Sequence, residues 1–311
     1  MGLPASVKTR FLILSDTHGM RFRPDSNPSQ QVDVVIHCGD LTTESKLAEY
    51  RSTIQLLNGL NAPLKLVIAG NHDFTLDTPV YRQKLSEASR FIDPALIIKE
   101  YGDYGEAKKL FDEAREAGIY LLDEGTHHFV LDNGASLTVY ASPYTPSVGD
   151  WGFQYHPKQP HDFAMGAVDV AITHGPPLGV LDHTLSGVRA GSEDLFAAVA
   201  RARPRIHCFG HIHEGWGAKL VTWKKNVSES PSHFSDIDHG KSALVENLAS
   251  LDRKMPKPTG EKYYATSHCA GDKNPAVPGN QTLFVNAALR DTSYNPIQLP
   301  WLVDVELERA Q

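Results

Sequence analysis

Side chains that bind metals or transfer protons follow several short apolar stretches of this sequence. They stand in five turns, Asp16-Thr17-His18, Gly39-Asp40, Gly70-Asn71-His72-Asp73, His174-Gly175 and Gly210-His211-Ile212-His213. One such turn is readily explained by conformational preference, but a series of five is not. Nitrogen and oxygen ligands without sulfur suit Mn, Fe or Zn at open catalytic centres. Two such ions roughly 4 Å apart, joined by a carboxylate, can clamp the attacking and leaving oxygens of a phosphoryl group.

The apolar stretches before these turns have the composition of buried strands. They are Arg10 to Ser15, Val32 to Cys38, Leu64 to Ala69, Val168 to Thr173 and Arg205 to Phe209. Apolar residues on one face predict a helix from Glu44 to Leu57, between the second and third strands. Strand, helix and strand in that order predict parallel neighbours whose carboxyl ends share one side. We therefore expect Asp16, Asp40 and Asn71 on a common rim.

Local signals predict how two of these elements begin and end. Thr42 or Thr43 is expected to cap the helix that follows, because hydroxyl side chains accept hydrogen bonds from free amides at helix starts. Gly70 is expected to let the chain turn sharply after its strand, so that Asn71 and His72 face one small volume.

The remaining patterns extend the α/β arrangement. Further predicted elements are a helix at Glu106–Ala117, a hairpin of His128–Leu131 with Leu137–Ala141 around Asn133-Gly134, a helix at Ser192–Ala202, and closing strands at Thr282–Leu289 and Trp301–Leu307. Lys224 to Asn280 is rich in Ser, Pro, Lys and Gly. We interpret it as a surface insertion with at most one short helix near Ala243 to Leu251, within a single domain over residues 1–311.

Composition limits the classes of partner and compartment. The 311 residues carry a formal net charge of −7, which gives no electrostatic reason to expect duplex nucleic acid. Cys38, Cys208 and Cys269 are few and widely spaced, which favours a reducing, cytoplasmic compartment. No apolar run approaches the ~20 residues that span a bilayer. Gly2 with Ser6 matches a myristoylation pattern, but a disordered leader is the preferred interpretation.

In order, the five turns resemble the signature of the calcineurin-like metallophosphoesterases over residues 10–213. The strings from Gly210 to Gly217 and from Ser142 to Phe153 resemble its metallophosphoesterase-domain-containing subgroup, relatives of the class III cyclic nucleotide phosphodiesterases. The resemblance implies an α/β fold, a four-layer αββα sandwich of two mixed sheets flanked by helices. Residues 224–280 depart from that subgroup, in which a shorter link is expected.

The same resemblance implies a role for each residue of the turns. One metal is held by Asp16, His18, Asp40 and His213, and the other by Asp40, Asn71, His174 and His211, with Asp40 as the bridge. His72 contacts the phosphate and protonates the leaving oxygen, Asp73 orients its ring, and Asn71 also lies against the substrate. A hydroxide between the metals is the expected nucleophile.

We interpret the chain as a metal-dependent phosphodiesterase acting on cyclic nucleotides or similar small phosphodiesters. The cofactors are two divalent transition metals, Mn first, with Fe, Zn or Ni as alternatives. Trp151 and Phe153 belong to an aromatic loop that either stacks a nucleobase or packs over a sheet edge. Because relatives use the same centre as phosphomonoesterases or protein phosphatases, these stay alternatives. A nonenzymatic scaffold is less favoured, since no ligand is missing, and the sequence does not indicate an oligomeric state.

Overall fold

The computed structural model describes residues 5–251, 253, 261–295 and 298–311. The strands are β1 Ser6–Leu14, β2 Val34–His37, β3 Leu64–Val67, β4 Ile119–Leu121, β5 Gly125–Val130, β6 Ser136–Ser142, β7 Thr145–Pro146, β8 Gln154–Tyr155, β9 Val170–Thr173, β10 Ile206–Phe209, β11 Gly217–Thr222, β12 Ala243–Asn247, β13 Tyr264–Ser267, β14 Gln281–Asn286 and β15 Trp301–Glu308. The helices are α1 Leu47–Asn58, α2 Thr78–Ala88, α3 Pro94–Tyr101, α4 Glu106–Ala114, α5 Glu193–Ala202 and the short α6 Leu248–Leu251.

Two large mixed sheets lie at the centre of the protein. The first has the strand order β13-β15-β1-β2-β3-β4, and the second has the order β12-β11-β14-β10-β9-β6-β5. The parallel strands β1, β2 and β3 are neighbours in the first sheet, as the crossover pattern predicted. In the second sheet β6, β9, β10 and β14 are parallel. The carboxyl ends of the parallel strands therefore lie together at one edge of each sheet.

The side chains of β1 show how the four layers form. Phe11 and Ile13 belong to a core cluster that also contains residues of β6, β9 and β10, so they fill the space between the sheets. Leu12 and Leu14 point the other way and pack with residues of α1 and α4. On the far side of the second sheet, α5 covers a third cluster. The predicted four-layer αββα sandwich is confirmed.

The start of α1 differs from the sequence-based expectation. Neither Thr42 nor Thr43 caps the helix, which begins at Leu47. The side chain of Glu49 reaches back and accepts hydrogen bonds from the amides of Thr43, Glu44 and Lys46, each at 3.0 Å. The hydroxyl of Thr42 instead donates to Asp73, at 2.7 Å. A carboxylate inside the first turn thus replaces the hydroxyl cap.

The segment from Lys224 to Asn280 contributes strands to the edges of both sheets. Its predicted helix near Ala243 to Leu251 is wrong for the first five residues, which form β12 against the free edge of β11. The strand β13 pairs with β15 at the other sheet. Residues 252 and 254–260 lie outside the described residues, as does Gly2 with its myristoylation pattern, so the surface insertion and the single domain stay predictions.

Among the described residues, no helix is both long enough and apolar enough to cross a membrane.

Candidate metal centre

The turns that follow five parallel strands of the two sheets meet at one place. The turn after β1 carries Asp16 and His18, and those after β2, β3, β9 and β10 carry Asp40, Asn71 with His72, His174, and His211 with His213. Backbone hydrogen bonds join neighbouring turns: the amides of Asp16 and His18 donate to the carbonyls of Gly39 and Asp40, both at 3.0 Å. The common rim expected from the sequence is present, and it includes turns from both sheets.

Potential ligand atoms form three groups, and within each group they lie no more than 4.8 Å apart. The groups are Asp16 with His18 and His213, His18 with Asp40 and His72, and Asp40 with His174 and His211. Asp40 belongs to two of them and has one oxygen toward each side. Its Oδ1 is 3.3 Å from Nε2 of His174, and its Oδ2 is 3.7 Å from Nε2 of His18. The carboxylate therefore stands between the two halves of the cluster.

The amide side chain of Asn71 lies in the half of the cluster that contains His174. Its Oδ1 is 2.9 Å from Nε2 of that histidine. In the other half, Nε2 of His213 is 3.3 Å from Oδ1 of Asp16. The structure thus brings together all seven side chains that the family resemblance implies as ligands.

Backbone carbonyls fix the orientation of three of the imidazoles. Nδ1 of His18, His174 and His213 lies 2.8, 2.9 and 3.0 Å from a carbonyl oxygen, those of Thr42, Cys38 and Asp291 respectively. An Nδ1–H that donates to a carbonyl leaves Nε2 as the atom that can bind a metal. Nε2 of His18 is buried and has no hydrogen-bond partner among the described residues, which is unfavourable unless a cation binds there. The donor set therefore fits metal ions.

The backbone of the ligand turns adopts uncommon conformations. Asp16, His18, Asp40 and His211 all have positive φ angles, of 56°, 47°, 53° and 64°. Such conformations are costly for residues other than glycine and cluster at functional sites, where the surrounding contacts enforce them. Four strained residues in one cluster indicate that side-chain placement, rather than local backbone preference, determines these turns.

Two glycines allow the turns to approach one another. A Cβ atom on Gly210 would lie 2.0 Å from Oδ2 of Asp16, and one on Gly70 would lie 2.3 Å from Oδ1 of Asp40. The expected turn is present, because the amide of Asp73 donates to the carbonyl of Gly70 at 3.1 Å, but Gly70 is not among the positive-φ glycines. Its role is to leave room for the carboxylate of Asp40.

The charges of the two aspartates are coupled to those of two histidines. Burial alone would raise the pKa of Asp16, but the hydrogen bond and positive charge of His213 lower it to about 2. Burial opposes protonation of His213, yet its bond to Asp16 raises its pKa to about 9. Burial likewise opposes ionisation of Asp40, but the charge of His174 holds the pKa of that carboxyl well below its usual range. Both carboxylates are therefore anionic at neutral pH, and a bound cation would displace the imidazole protons.

His72 lies at the mouth of the cluster and is not oriented by Asp73. Its ring centroid is 4.8 Å from that of His18 and 4.2 Å from that of Trp151. Nδ1 of His72 is 2.7 Å from the carbonyl oxygen of Thr43, which holds the ring in place of the expected carboxylate. Asp73 points elsewhere and accepts hydrogen bonds from the amides of Leu41, Thr42 and Gly70. It thereby ties the Asp40 turn to the Asn71 turn.

The structure separates the two aromatic residues that were expected to contact substrate. Trp151 lies against His72 and is 38% exposed. The ring of Phe153 instead packs edge-on against Tyr144, with the centroids 5.8 Å apart, and its backbone amide donates to Asp77. Trp151 is thus placed beside the metal centre, whereas the ring of Phe153 packs against Tyr144.

The loop after β14 also reaches the metal centre, although it was not predicted to do so. The ring of Tyr294 lies 5.0 Å from that of His18 and 5.5 Å from that of His213. Arg290 holds the loop by donating to the carbonyls of Thr17 and Tyr294. The signal was present, because β14 is one more parallel strand followed by a polar turn, from Arg290 onward.

Sequence comparisons with known proteins agree with this arrangement. The family described as calcineurin-like phosphoesterase matches residues 9–215. Metallophosphoesterase domain-containing protein 1 of Homo sapiens is 34% identical over 238 residues, which cover 74% of this chain and 69% of that protein. A UPF0046 protein of Caenorhabditis elegans is 33% identical over 284 residues, covering 83% and 68%. A purple acid phosphatase from Lupinus luteus seeds is similar in structure, with a TM-score of 0.36, 12% identity and coverage of 90% and 44%.

Fold, donor set and sequence similarity define a metal-dependent phosphoesterase. The chain belongs to the calcineurin-like phosphoesterase family, in the subgroup of metallophosphoesterase domain-containing proteins. The resemblance inferred from the five turns is confirmed. The His and Asp clusters of this chain are compatible with a dinuclear metal site.

Proposed function

We propose that this protein is a dinuclear-metal phosphodiesterase that hydrolyses cyclic nucleotides or similar small phosphodiesters. The observation that carries the proposal is the position of Asp40, whose two oxygens face His18 on one side and His174 on the other. A carboxylate so placed can join two cations at the short separation that in-line displacement at phosphorus requires.

The residues implied as ligands fall into the two halves of the cluster. Asp16, His18, Asp40 and His213 would hold one ion, and Asp40, Asn71, His174 and His211 the other. Imidazole, carboxylate and amide donors suit Mn, which we prefer, and also Fe, Zn or Ni. When bound, such ions offset the charge of the phosphoryl oxygens and activate water at neutral pH.

His72 is proposed as the phosphate contact and general acid. The Thr43 carbonyl engages its Nδ1, so Nε2 is the ring atom that can pass a proton to the leaving oxygen. Trp151 packs on the same ring and restricts its rotation. Asp73 is proposed as a positioning residue, because its carboxylate fixes the backbone of the turns that carry Asp40 and Asn71.

The position of Arg290 supports a diester over a monoester substrate. A monoester carries more negative charge than a diester, and a guanidinium directed at the phosphate would favour it. Arg290 instead directs Nε, Nη1 and Nη2 to backbone carbonyls, those of Thr17, His18 and Tyr294. We also propose a cytoplasmic compartment, on the ground that Cys38, Cys208 and Cys269 are buried free thiols.

The test is turnover after metal removal and reconstitution. Protein stripped by a chelator and checked by elemental analysis is assayed with Mn, Fe, Zn or Ni against cyclic nucleotides, mononucleotides and phosphopeptides. We expect cyclic nucleotides to be cleaved only with metal present. Full activity of the metal-free protein, or faster turnover of every mononucleotide than of any diester, would overturn the proposal.

A pair of variants assigns any activity to this centre. Asp40→Asn removes the bridging charge with little change of shape, and we expect loss of turnover with the fold retained. Asp112→Asn is the matched control, because Asp112 is exposed on α4 and its ion pair with Arg115 lies at the surface.

A further inference from the structure

A pocket lies next to the metal centre. It has a volume of about 350 Å³ and is lined by Glu44, Phe74, Lys84, Tyr101, Asp150 and Trp151. Trp151 belongs to both places, since its ring packs on His72 and also forms a wall of the pocket. A substrate whose phosphate lies beside His72 can therefore extend past Trp151 into this space.

Three aromatic rings form the walls of the pocket. Phe74 stands between the other two, with its ring centroid 6.4 Å from that of Trp151 and 5.9 Å from that of Tyr101. Tyr101 is the last residue of α3, and Trp151 lies in the loop between β7 and β8. Flat aromatic walls favour a flat ligand, because stacking brings whole ring faces into contact.

The pocket is attached to a ligand turn of the metal centre. The amide of Gly152 donates to the carbonyl of Asn71, at 2.9 Å. A Cβ on Gly152 would lie 2.8 Å from Cα of Phe74, so the aromatic loop packs directly on that backbone. Phe74 itself directly follows the Gly70-Asn71-His72-Asp73 turn. The distance between pocket and metal centre is thus fixed by local contacts, which favours binding without rearrangement.

The polar groups of the pocket suit a neutral heteroaromatic ring. Nζ of Lys84 lies 2.9 Å from Oδ2 of Asp150 and 5.2 Å from the centre of the Phe74 ring. Glu44 adds a second carboxylate, which is paired with Nζ of Lys46. Both carboxylates are thus balanced by an ammonium, so the pocket offers hydrogen-bond donors and acceptors, while the pairing of Lys84 with Asp150 disfavours an anionic group such as a second phosphate or an acidic peptide.

We propose that this pocket is the nucleobase subsite of the enzyme, with Trp151, Phe74 and Tyr101 as its stacking walls. The inference rests on the proposed function, because it places a base-bearing ester at the metal centre. It replaces Phe153, which the sequence had suggested, with two aromatic residues from other parts of the chain.

The kinetic test compares cyclic AMP with an analogue in which a methoxy group replaces adenine. Tyr101→Leu should reduce the preference for cyclic AMP, measured as the ratio of the two kcat/KM values, by roughly 5- to 150-fold, the usual worth of stacking on one base. Tyr104→Leu is the matched control, because Tyr104 lies three residues further on, packs against Tyr81 and does not line the pocket. An equal loss on both substrates in Tyr101→Leu would overturn the proposal.

A binding measurement tests the subsite without turnover. Trp151 is 38% exposed, whereas Trp216, Trp223 and Trp301 are at most 2% exposed, so ligand-dependent quenching of fluorescence reports on Trp151. We expect AMP to quench saturably and ribose phosphate, which lacks the base, to quench much less. Tyr101→Leu should weaken the AMP response while circular dichroism shows the fold intact.

The two proposals fail in different ways. Saturable quenching by AMP in a protein that cleaves no diester would support the nucleobase subsite and refute the phosphodiesterase activity. Diester cleavage with equal quenching by AMP and ribose phosphate would support the phosphodiesterase activity and refute the nucleobase subsite.

Discussion

The carboxylate of Asp236 stabilises the segment that follows β11, and its contribution can be measured. The residue is 1% exposed. Its side chain accepts hydrogen bonds from the amides of Ser228 and Ser232, at 2.7 and 3.0 Å, and from the hydroxyls of Ser228 and Ser235. The next residue, Ile237, packs in the core cluster that covers the second sheet. Loss of these bonds would loosen the connection of this segment to the sheet.

The size of the effect follows from the pKa of Asp236. Burial opposes ionisation, but the hydrogen bonds from Ser235 and Ser228 lower the pKa from 3.8 to about 2. At about 1.4 kcal/mol for each pH unit, this difference corresponds to about 2 kcal/mol of folding free energy. Because the folded pKa lies below the unfolded one, this stabilisation is present above about pH 4 and is lost as the pH falls toward about 2.

We therefore expect Asp236→Asn to lower the free energy of unfolding by about 2 kcal/mol at neutral pH, measured by urea denaturation. The difference from wild type should narrow as the pH falls below about 4. Glu229→Gln is the control, because Glu229 lies in the same segment and is exposed. The reasoning is refuted by wild-type stability of Asp236→Asn at neutral pH, or by a deficit that does not change on acidification.

Two further predictions concern the centre itself. His72→Ala should keep its metals and lower kcat by roughly 10² to 10⁴, more for a cyclic nucleotide than for a nitrophenyl diester, because a good leaving group needs little protonation; loss of a metal, or an equal loss of rate on both substrates, would show that His72 is not the general acid. Gly210→Ala should reduce metal content and melting temperature, since its Cβ would meet Asp16. Gly166→Ala should match wild type, because in the part of the chain that the structure describes no atom lies within 4 Å of the added carbon. Wild-type metal content in Gly210→Ala would contradict the close approach.

The strands and the rim of the site could be predicted because both depend on local sequence. A buried strand in a parallel sheet is a short apolar run, and polar residues directly after it must lie at the sheet edge. The residues that follow their strands as predicted are Asp16, Asp40, Asn71, His174 and His211. Convergence of two sheets on one point was implied by the family resemblance rather than by the pattern itself.

The features that were missed depend on contacts between distant parts of the chain. β12 forms because β11 offers a free edge, which the sequence of Ala243–Asn247 does not show. Asp73 bonds to Leu41 and Thr42, more than thirty residues earlier, instead of to its neighbour His72. The cap of α1 is an exception, because it is a local contact: the long side chain of Glu49 accepts hydrogen bonds from three amides at once.

Electron paramagnetic resonance of the Mn-loaded protein tests the central claim most directly, which is that Asp40 stands between two metal ions. Two Mn ions that share a carboxylate are magnetically coupled, and their spectrum differs from that of isolated ions. We predict a coupled signal in wild type that disappears in Asp40→Asn and persists in Asp112→Asn. A wild-type protein that binds two Mn ions per chain and shows only the signal of isolated ions would contradict the account.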